Sequence, residues 1–404
     1  MAKLNQIKVI TLITLAFVIT IIFAIHPFFS ISLAQRPMVK DPNLKVEIFA
    51  QGLNSPTSMA FLDSNHILVL EKEGNVRLVS GGVLQPSPVL SLPAVNKNER
   101  GLLGIEKIGE NVFLYVTESD GGAKNRVYRY DISGSSLTNQ KLLLDLPAGP
   151  GTNHQGGKLV SGKDNSLYSV TGELQRNGKD QNIKDGPDPD FSGAILRLNP
   201  ENGSPAQNNP FPTSNSSSDP LGHYYAYGIR NSFGLAIDPV SGSLWDTENG
   251  EDVYDEINLV TPGFNSGWKL VMGPISRSGI SESQLVNFQG SKYSDPALSF
   301  KDPIGITDIE FLASNKLGDK YTNNVFVGDI NNGNLYFFQM NEERNGFNLT
   351  SPGLDDKVVD NSQELDSVVL GSGFGGITDI ETGPDGYLYV LSYDDGIIYK
   401  ISTP

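Results

Sequence analysis

Cysteine is absent from the 404 residues. That excludes disulfides, thiolate nucleophiles, zinc–thiolate sites and the thiol lipidation of a lipoprotein signal. Charge is sparse, at 19% of residues, and it is lopsided: 30 Lys and Arg against 46 Asp and Glu give a net charge of −16. A surface this acidic repels phosphate backbones and anionic lipid, so nucleic acid is not an expected partner. Histidine is scarce as well, with four in the chain, which confines imidazole chemistry to few positions.

What is abundant is turn-forming residues, 43 Gly and 24 Pro. The 38% hydrophobic content is enough to bury a large core, and the turn bias suits many short strands. Behind Lys3 and Lys8, Val9 to Ile25 form an almost unbroken apolar run, the plan of either a secretory signal or a single membrane anchor. Ser32-Leu33-Ala34 offers a small-residue cleavage site. Residues 1–34 are thus expected to set the body outside the cytoplasm, secreted or anchored to the outer face of the membrane. Their removal takes two Lys and no acids, moving the charge from 30 − 46 = −16 to 28 − 46 = −18.

Past this leader, Asn43 to Leu53 reads as one alternating strand. A unit then recurs: an apolar strand, a polar turn, a strand ending in a form of Leu-Tyr-Val, and a further strand. It occupies Met59 to Val79, Leu102 to Ile132, Gly157 to Leu198, Gly234 to Val260, Gly305 to Met340 and Gly376 to Ile401. The hexapeptide Gly-Ile-Thr-Asp-Ile-Glu occurs twice, at Gly305 to Glu310 and at Gly376 to Glu381. Six antiparallel units predict an all-β, six-bladed β-propeller over residues 43–404, closed by the lone early strand; a pair of β-sandwiches explains the strands but not their recurrence. Gln175 to Phe191 and Asn199 to Gly222 are too long for hairpin turns and read as loops on one face.

Two constellations carry chemistry. The first is His154, in Thr152-Asn153-His154-Gln155-Gly156-Gly157, with Glu173 at the opposite end of one predicted hairpin. An imidazole oriented by a carboxylate can take a proton near neutral pH; the alternative is a structural histidine. The second is Gly228-Ile229-Arg230-Asn231-Ser232-Phe233, followed by Thr247-Glu248-Asn249-Gly250-Glu251-Asp252. Arg230 and Asn231 offer donors to an anionic ligand, and the acidic turn offers backbone oxygens to calcium; the alternative is a solvated turn salt-bridged to Arg230. Asp185, Asp188 and Asp190 lack the closing glutamate of a calcium loop and read as an exposed loop.

Asn153-His154-Gln155-Gly156-Gly157-Lys158-Leu159, Gly193 to Pro200, Gly203 to Phe211 and Gly228 to Ala236 together resemble the soluble quinoprotein glucose/sorbosone dehydrogenase family. Arg100 to Ile105, Asp255 to Leu259 and Asn265-Ser266-Gly267-Trp268 extend the likeness across residues 43–403 in order. The resemblance implies a propeller that holds pyrroloquinoline quinone and Ca²⁺ at its channel mouth. It implies oxidation of the C1 hydroxyl of aldose sugars to lactones, with an external electron acceptor. It puts His154, Glu173 and Arg230 on catalytic positions, with His154 as the base. Arg230, Asn231, Asn331 and Thr378 fall on cofactor-contacting positions, and Gly250 and Glu251 on the pair whose carbonyls bind calcium.

The chain departs from the family pattern at telling places. Phe233 stands for Gln, Glu251 for Pro, Asn331 for a cofactor-binding Lys, and Gly376 and Thr378 for paired Arg. Burying the three carboxylates of the quinone without cations is costly, so the cationic clamp reads as incomplete. Two other functions therefore stand beside the dehydrogenase: a propeller that has lost the quinone and binds sugar or acts as an extracellular scaffold, and a Ca²⁺-dependent lactone hydrolase using Glu173, Asn231 and Asp329.

Overall fold

A computed structural model describes residues 37–119, 121–176, 182–184, 186, 188–212 and 219–404. Residues 1–34, the expected leader, lie outside them, as do parts of the two long loops. Among the described residues no helix is long and apolar enough to cross a membrane.

Among the described residues each recurring unit forms its own sheet, six in all, of four to six strands on the main path. The first strands of the sheets are Pro56–Phe61, Leu102–Ile108, Leu159–Ser161, Ser232–Ile237, Ile306–Phe311 and Ile377–Thr382. Each lies at one edge of its sheet and packs on the first strands of the two neighbouring sheets, so the six close into a ring. The chain is an all-β propeller.

The Leu-Tyr-Val signature has its cause in this arrangement. Leu388–Ser392 is buried along its whole length because its sheet is covered on both faces. Leu388 and Val390 pack with Phe326 and Leu335, while Tyr389 and Leu391, pointing the other way, pack with Met59, Ile67 and Val69. Each such side chain gains about 1.5–3 kcal/mol on burial, which favours a continuous apolar run over strict alternation. The polar turns carry an aspartate that caps its own backbone: Asp164 accepts from the Ser166 N–H at 3.1 Å, Asp238 from Val240 at 2.9 Å and Asp385 from Tyr387 at 3.2 Å.

The early strand, Lys45–Gln51, pairs antiparallel with Ile397–Ser402, Lys45 opposite Ser402 and Ile48 opposite Tyr399. The two ends of the described chain thus complete one sheet. A second pairing has no signal in the sequence: Met38–Val39 adds to Val369–Ser372 at the edge of the fifth sheet.

Side chains on the first strands stitch each sheet to the next. Thr307 donates to the Ile377 carbonyl at 2.7 Å, Thr378 to Pro56 at 2.9 Å and Thr57 to Leu102 at 2.7 Å. Carboxylates run the same way: Asp308 accepts from the Ile380 N–H at 2.8 Å, Asp379 from Met59 at 2.6 Å and Glu106 from Ser161 at 3.2 Å. The repeated Gly-Ile-Thr-Asp-Ile-Glu is therefore one stitching device used at two successive junctions. Lys158 provides the counter-charge, pairing with Asp308 at 2.9 Å and with Asp379.

Burial pushes the carboxyls of Glu106 and Glu310 up to about 7, against the hydrogen bonds of Ser161 and Thr382 respectively and the pull of Lys158 on both. The folded chain thus keeps protons that the unfolded chain releases near 4.5. Their stabilising effect is full below about 4.5 and is lost as pH rises to about 7, on the order of 3 kcal/mol for one shift of this size. The melting temperature should fall between pH 5 and 8, and Glu106→Gln should flatten that fall in calorimetric scans. Lys158→Met strands two buried aspartates, and should lower the unfolding free energy by about 3–5 kcal/mol in urea titrations.

Candidate active site

Three segments meet at Gly172. A Cβ added there would lie 2.4 Å from the His154 carbonyl oxygen and 2.8 Å from that of Arg230, so only glycine admits this approach. Just beyond, the Glu173 N–H donates to the Arg230 carbonyl at 2.8 Å and the Leu174 N–H to the His154 carbonyl at 3.2 Å. The strand pair Leu159–Ser161 and Leu167–Thr171 supplies the frame, and His154 and Glu173 flank it.

His154 adopts a left-handed backbone, φ 58°, uncommon for a residue with a side chain. The surrounding loop holds it there. Its N–H donates to Glu99 Oε2 at 2.5 Å, the N–H groups of Thr152 and Asn153 donate to Gln175 Oε1 at 3.1 Å each, and Tyr115 and Asn125 fix Gln155. Arg100 braces the approach by donating to the Ala148 carbonyl and, at 2.8 Å, to that of Gly151.

His154 Nδ1 hydrogen-bonds Glu173 Oε1. Burial raises the Glu173 carboxyl pKa, but His154 and the N–H groups of Gln175 and Arg176, at 2.9 and 2.7 Å, hold it below the ordinary value. An ionised acceptor assigns the imidazole proton to Nδ1 and leaves the Nε2 lone pair free to accept.

His154, Arg230, Asn231, Gly250, Asn331 and Thr378 all line one cavity of about 480 Å³. Arg230 is 8% exposed; its Nη1 donates to the Asn249 carbonyl at 2.9 Å, its guanidinium lies 5.3 Å over Trp268, and its Nε is buried with no partner. Burial lowers its pKa against the attraction of Glu173, Glu251, Glu248 and Glu99. Asn231 donates to Glu99 Oε2 at 3.2 Å while its own Oδ1 is buried and unpaired. Phe233, Leu103, Ile306 and Ile330 give the cavity apolar walls.

Other residues stand elsewhere. Glu173 backs His154 and is not part of the lining, and Glu251 is exposed and off the lining. The turn that carries Glu251 is held by Asp255, which accepts from Gly250 at 3.0 Å and from Ile304, Gly305 and Ile306 at 2.8–3.0 Å. Asp329 spends its carboxylate on the N–H groups of Asn332 and Gly333 and on the Tyr336 hydroxyl at 2.6 Å. It does not line the cavity, so it does not join Asn231 in a ligand set. Thr378 lines the cavity with its hydroxyl already given to Pro56. At Gly376 a Cβ would meet Ile330 Cδ1 at 2.6 Å, so an isoleucine fills the space a larger residue would need. Asp190 caps Ser192 and pairs with Arg176, while Asp185 lies outside the described residues.

Sequence reasoning passed over Lys72 and Glu99, and read Lys158 only as part of a motif; all three line the cavity. Glu99 directly precedes the Arg100-to-Ile105 motif, which was the available signal. For Lys72 there was none, since it belongs to a different sheet from His154. His66 and His223 are structural: His66 begins the strand His66–Glu71 and pairs with Asp63 at 2.9 Å, and His223 is buried between the carbonyls of Asp219 and Gly203, both at 3.0 Å.

The chain is 26% identical to the aldose sugar dehydrogenase YliI of Escherichia coli, over 89% of this chain and 93% of that protein. It is 27% identical to quinoprotein glucose dehydrogenase B of Acinetobacter calcoaceticus, over 69% of this chain and 62% of that protein. Among solved structures, a Thermus thermophilus protein described as a glucose dehydrogenase-type oxidoreductase superposes with a TM-score of 0.71 at 28% identity, over 89% of this chain and 99% of that one. The Glucose / Sorbosone dehydrogenase family profile matches residues 53–400, and the chain belongs to that family.

Proposed function

We propose that the protein is an exported quinoprotein dehydrogenase, its six sheets forming six blades, that oxidises the C1 hydroxyl of aldose sugars to lactones and passes electrons to an external acceptor. The observation that carries this reading is the His154–Glu173 pair at the wall of a cavity that also receives Arg230 and Asn231.

The residues suit a flat anionic cofactor. A cavity of about 480 Å³ is within the usual range for small ligands, and Lys72, Lys158 and Arg230 all reach it. The buried, partnerless Nε of Arg230 and Oδ1 of Asn231 are a donor and an acceptor left for a ligand. The carbonyls of Gly250 and Glu251 accept no hydrogen bond from the described residues, which suits them to calcium. No group of three or more His, Asp or Glu side chains is arranged for a metal among those residues, so such a site would rest on backbone oxygens. Pyrroloquinoline quinone, when bound, supplies the two-electron oxidant that accepts the C1 hydride.

The chain's own part is proton transfer and orientation. Nε2 of His154 takes the proton of the C1 hydroxyl, and Glu173, across the Nδ1 bond, stabilises the imidazolium that results. Glu99 holds the backbone of His154 and the amide of Asn231 with one carboxylate oxygen, fixing the base relative to the ligand. Phe233, Leu103 and Ile330 exclude water from the reacting face.

A quinone-free sugar-binding or scaffold propeller is favoured by one observation: Asn331, Gly376 and Thr378 bring no charge, and Ile330 fills the space beside Gly376. No arrangement favours the lactone hydrolase, because Asp329 is committed to its own turn.

Two outcomes test the dehydrogenase reading. With Ca²⁺, pyrroloquinoline quinone and a dye acceptor, the purified protein should oxidise aldoses, and His154→Ala should cut kcat by about 10²–10⁴-fold while quinone binding persists; inactivity of the wild type on every aldose overturns the reading. Glu173→Ala frees two backbone N–H groups as well as His154, and should cost about 1–3 kcal/mol of stability in denaturant titrations in addition to its loss of rate.

A further inference from the structure

Three cations line the cavity, and they are not equivalent. Lys158 is held by Asp308 and Asp379. Arg230 sits in the field of four glutamates. Lys72 donates only to backbone carbonyls, those of Asn98 and, at 3.3 Å, Asn96, and forms no ion pair among the described residues. Its charge is therefore the one least compensated by the protein.

The backbone of Lys72 is fixed. Its N–H donates to the Ser55 carbonyl at 3.1 Å and its carbonyl accepts from Leu102 at 3.0 Å, tying it to the second sheet. Its stem runs against Gly101, where an added Cβ would stand 2.7 Å from Lys72 Cγ. The ammonium thus extends from a fixed backbone in the cavity wall to the segment that leads into Glu99.

The position also adjoins the neutral part of the wall. Glu71, the preceding residue, lies opposite Pro56 in the first sheet, and Pro56 accepts the Thr378 hydroxyl. Lys72 therefore enters from the sheet next to the one that carries Gly376 and Thr378. Among the described residues that line the cavity, the sixth sheet contributes Thr378 but no cation, whereas the first contributes Lys72.

We propose that Lys72 is the carboxylate anchor of this cavity: its ammonium leaves the Asn96 and Asn98 carbonyls to bind a carboxylate of the flat cofactor, taking over from the absent cations at Gly376 and Thr378. This rests on the quinoprotein reading. A carboxylate is a stronger acceptor for an ammonium than a carbonyl, so the exchange favours the bound state.

The test measures binding, not turnover. The full chain with Ca²⁺ is titrated with pyrroloquinoline quinone, following quenching of tryptophan fluorescence, for wild type, Lys72→Gln and Lys72→Arg. Lys72→Gln should weaken binding by roughly 10- to 150-fold, the span of one charge-assisted hydrogen bond. It should also flatten the dependence of affinity on NaCl. Lys72→Arg should recover most of the affinity, and both variants should melt within a few degrees of wild type. Wild-type binding with equal affinity in Lys72→Gln overturns the anchor and leaves the quinoprotein reading standing. Equal loss in Lys72→Arg and Lys72→Gln overturns it as well, since charge would not be what matters. Absence of wild-type binding overturns the quinoprotein reading and the anchor with it.

Discussion

The ring of first strands depends on polar groups that each sheet lends to its neighbour. Apolar packing between sheets is non-directional and would tolerate some sliding. Thr307, Asp308, Thr378 and Asp379 remove that freedom, since each side chain meets a specific carbonyl or N–H on the next strand. Buried polar groups left without partners are penalised, so the register between sheets is set by those pairings. Carboxylates in so dry a place need either a proton or a cation, and the channel uses both: Lys158 serves two aspartates, while Glu106 and Glu310 hold their protons to about 7.

The cavity inherits its precision from that ring. Lys158 belongs at once to the stitching and to the cavity wall, and Thr378 is similarly shared. His154, Glu173 and Arg230 converge because the chain crosses at Gly172, where no side chain separates the three backbones. Glu99 then links the second sheet to both His154 and Asn231. The His154 imidazole is therefore positioned by groups from separate sheets, and its left-handed backbone is held in place by hydrogen bonds on either side.

Charge in the cavity is distributed differently from what the resemblance implies. The neutral residues at Asn331, Gly376 and Thr378 are not simple losses: Ile330 fills the space at Gly376, and Thr378 performs a structural task that its counterpart Thr307 performs one junction earlier. The positive charge in the lining lies at Lys72, Lys158 and Arg230, and of these only Lys72 stands outside the motifs that carry the resemblance. Of these, Lys158 is bound to the scaffold, and Arg230 is partly compensated by its acidic surroundings.

The amino-acid sequence by itself determined the recurrence, the lone early strand, and the placing of His154 and Glu173 at either end of one hairpin, because each is written locally: an apolar run buried on two faces, an alternating segment, a motif at either end of one hairpin. Only the tertiary structure decided what the second Gly-Ile-Thr-Asp-Ile-Glu is for, that Asp329 is spent on its own turn, and that Lys72 and Glu99 share a cavity with His154. The physical reason is that a ring brings together residues hundreds of positions apart. Hydrophobic pattern reports which face of a strand is buried, but it carries no information on which distant side chain waits across the channel.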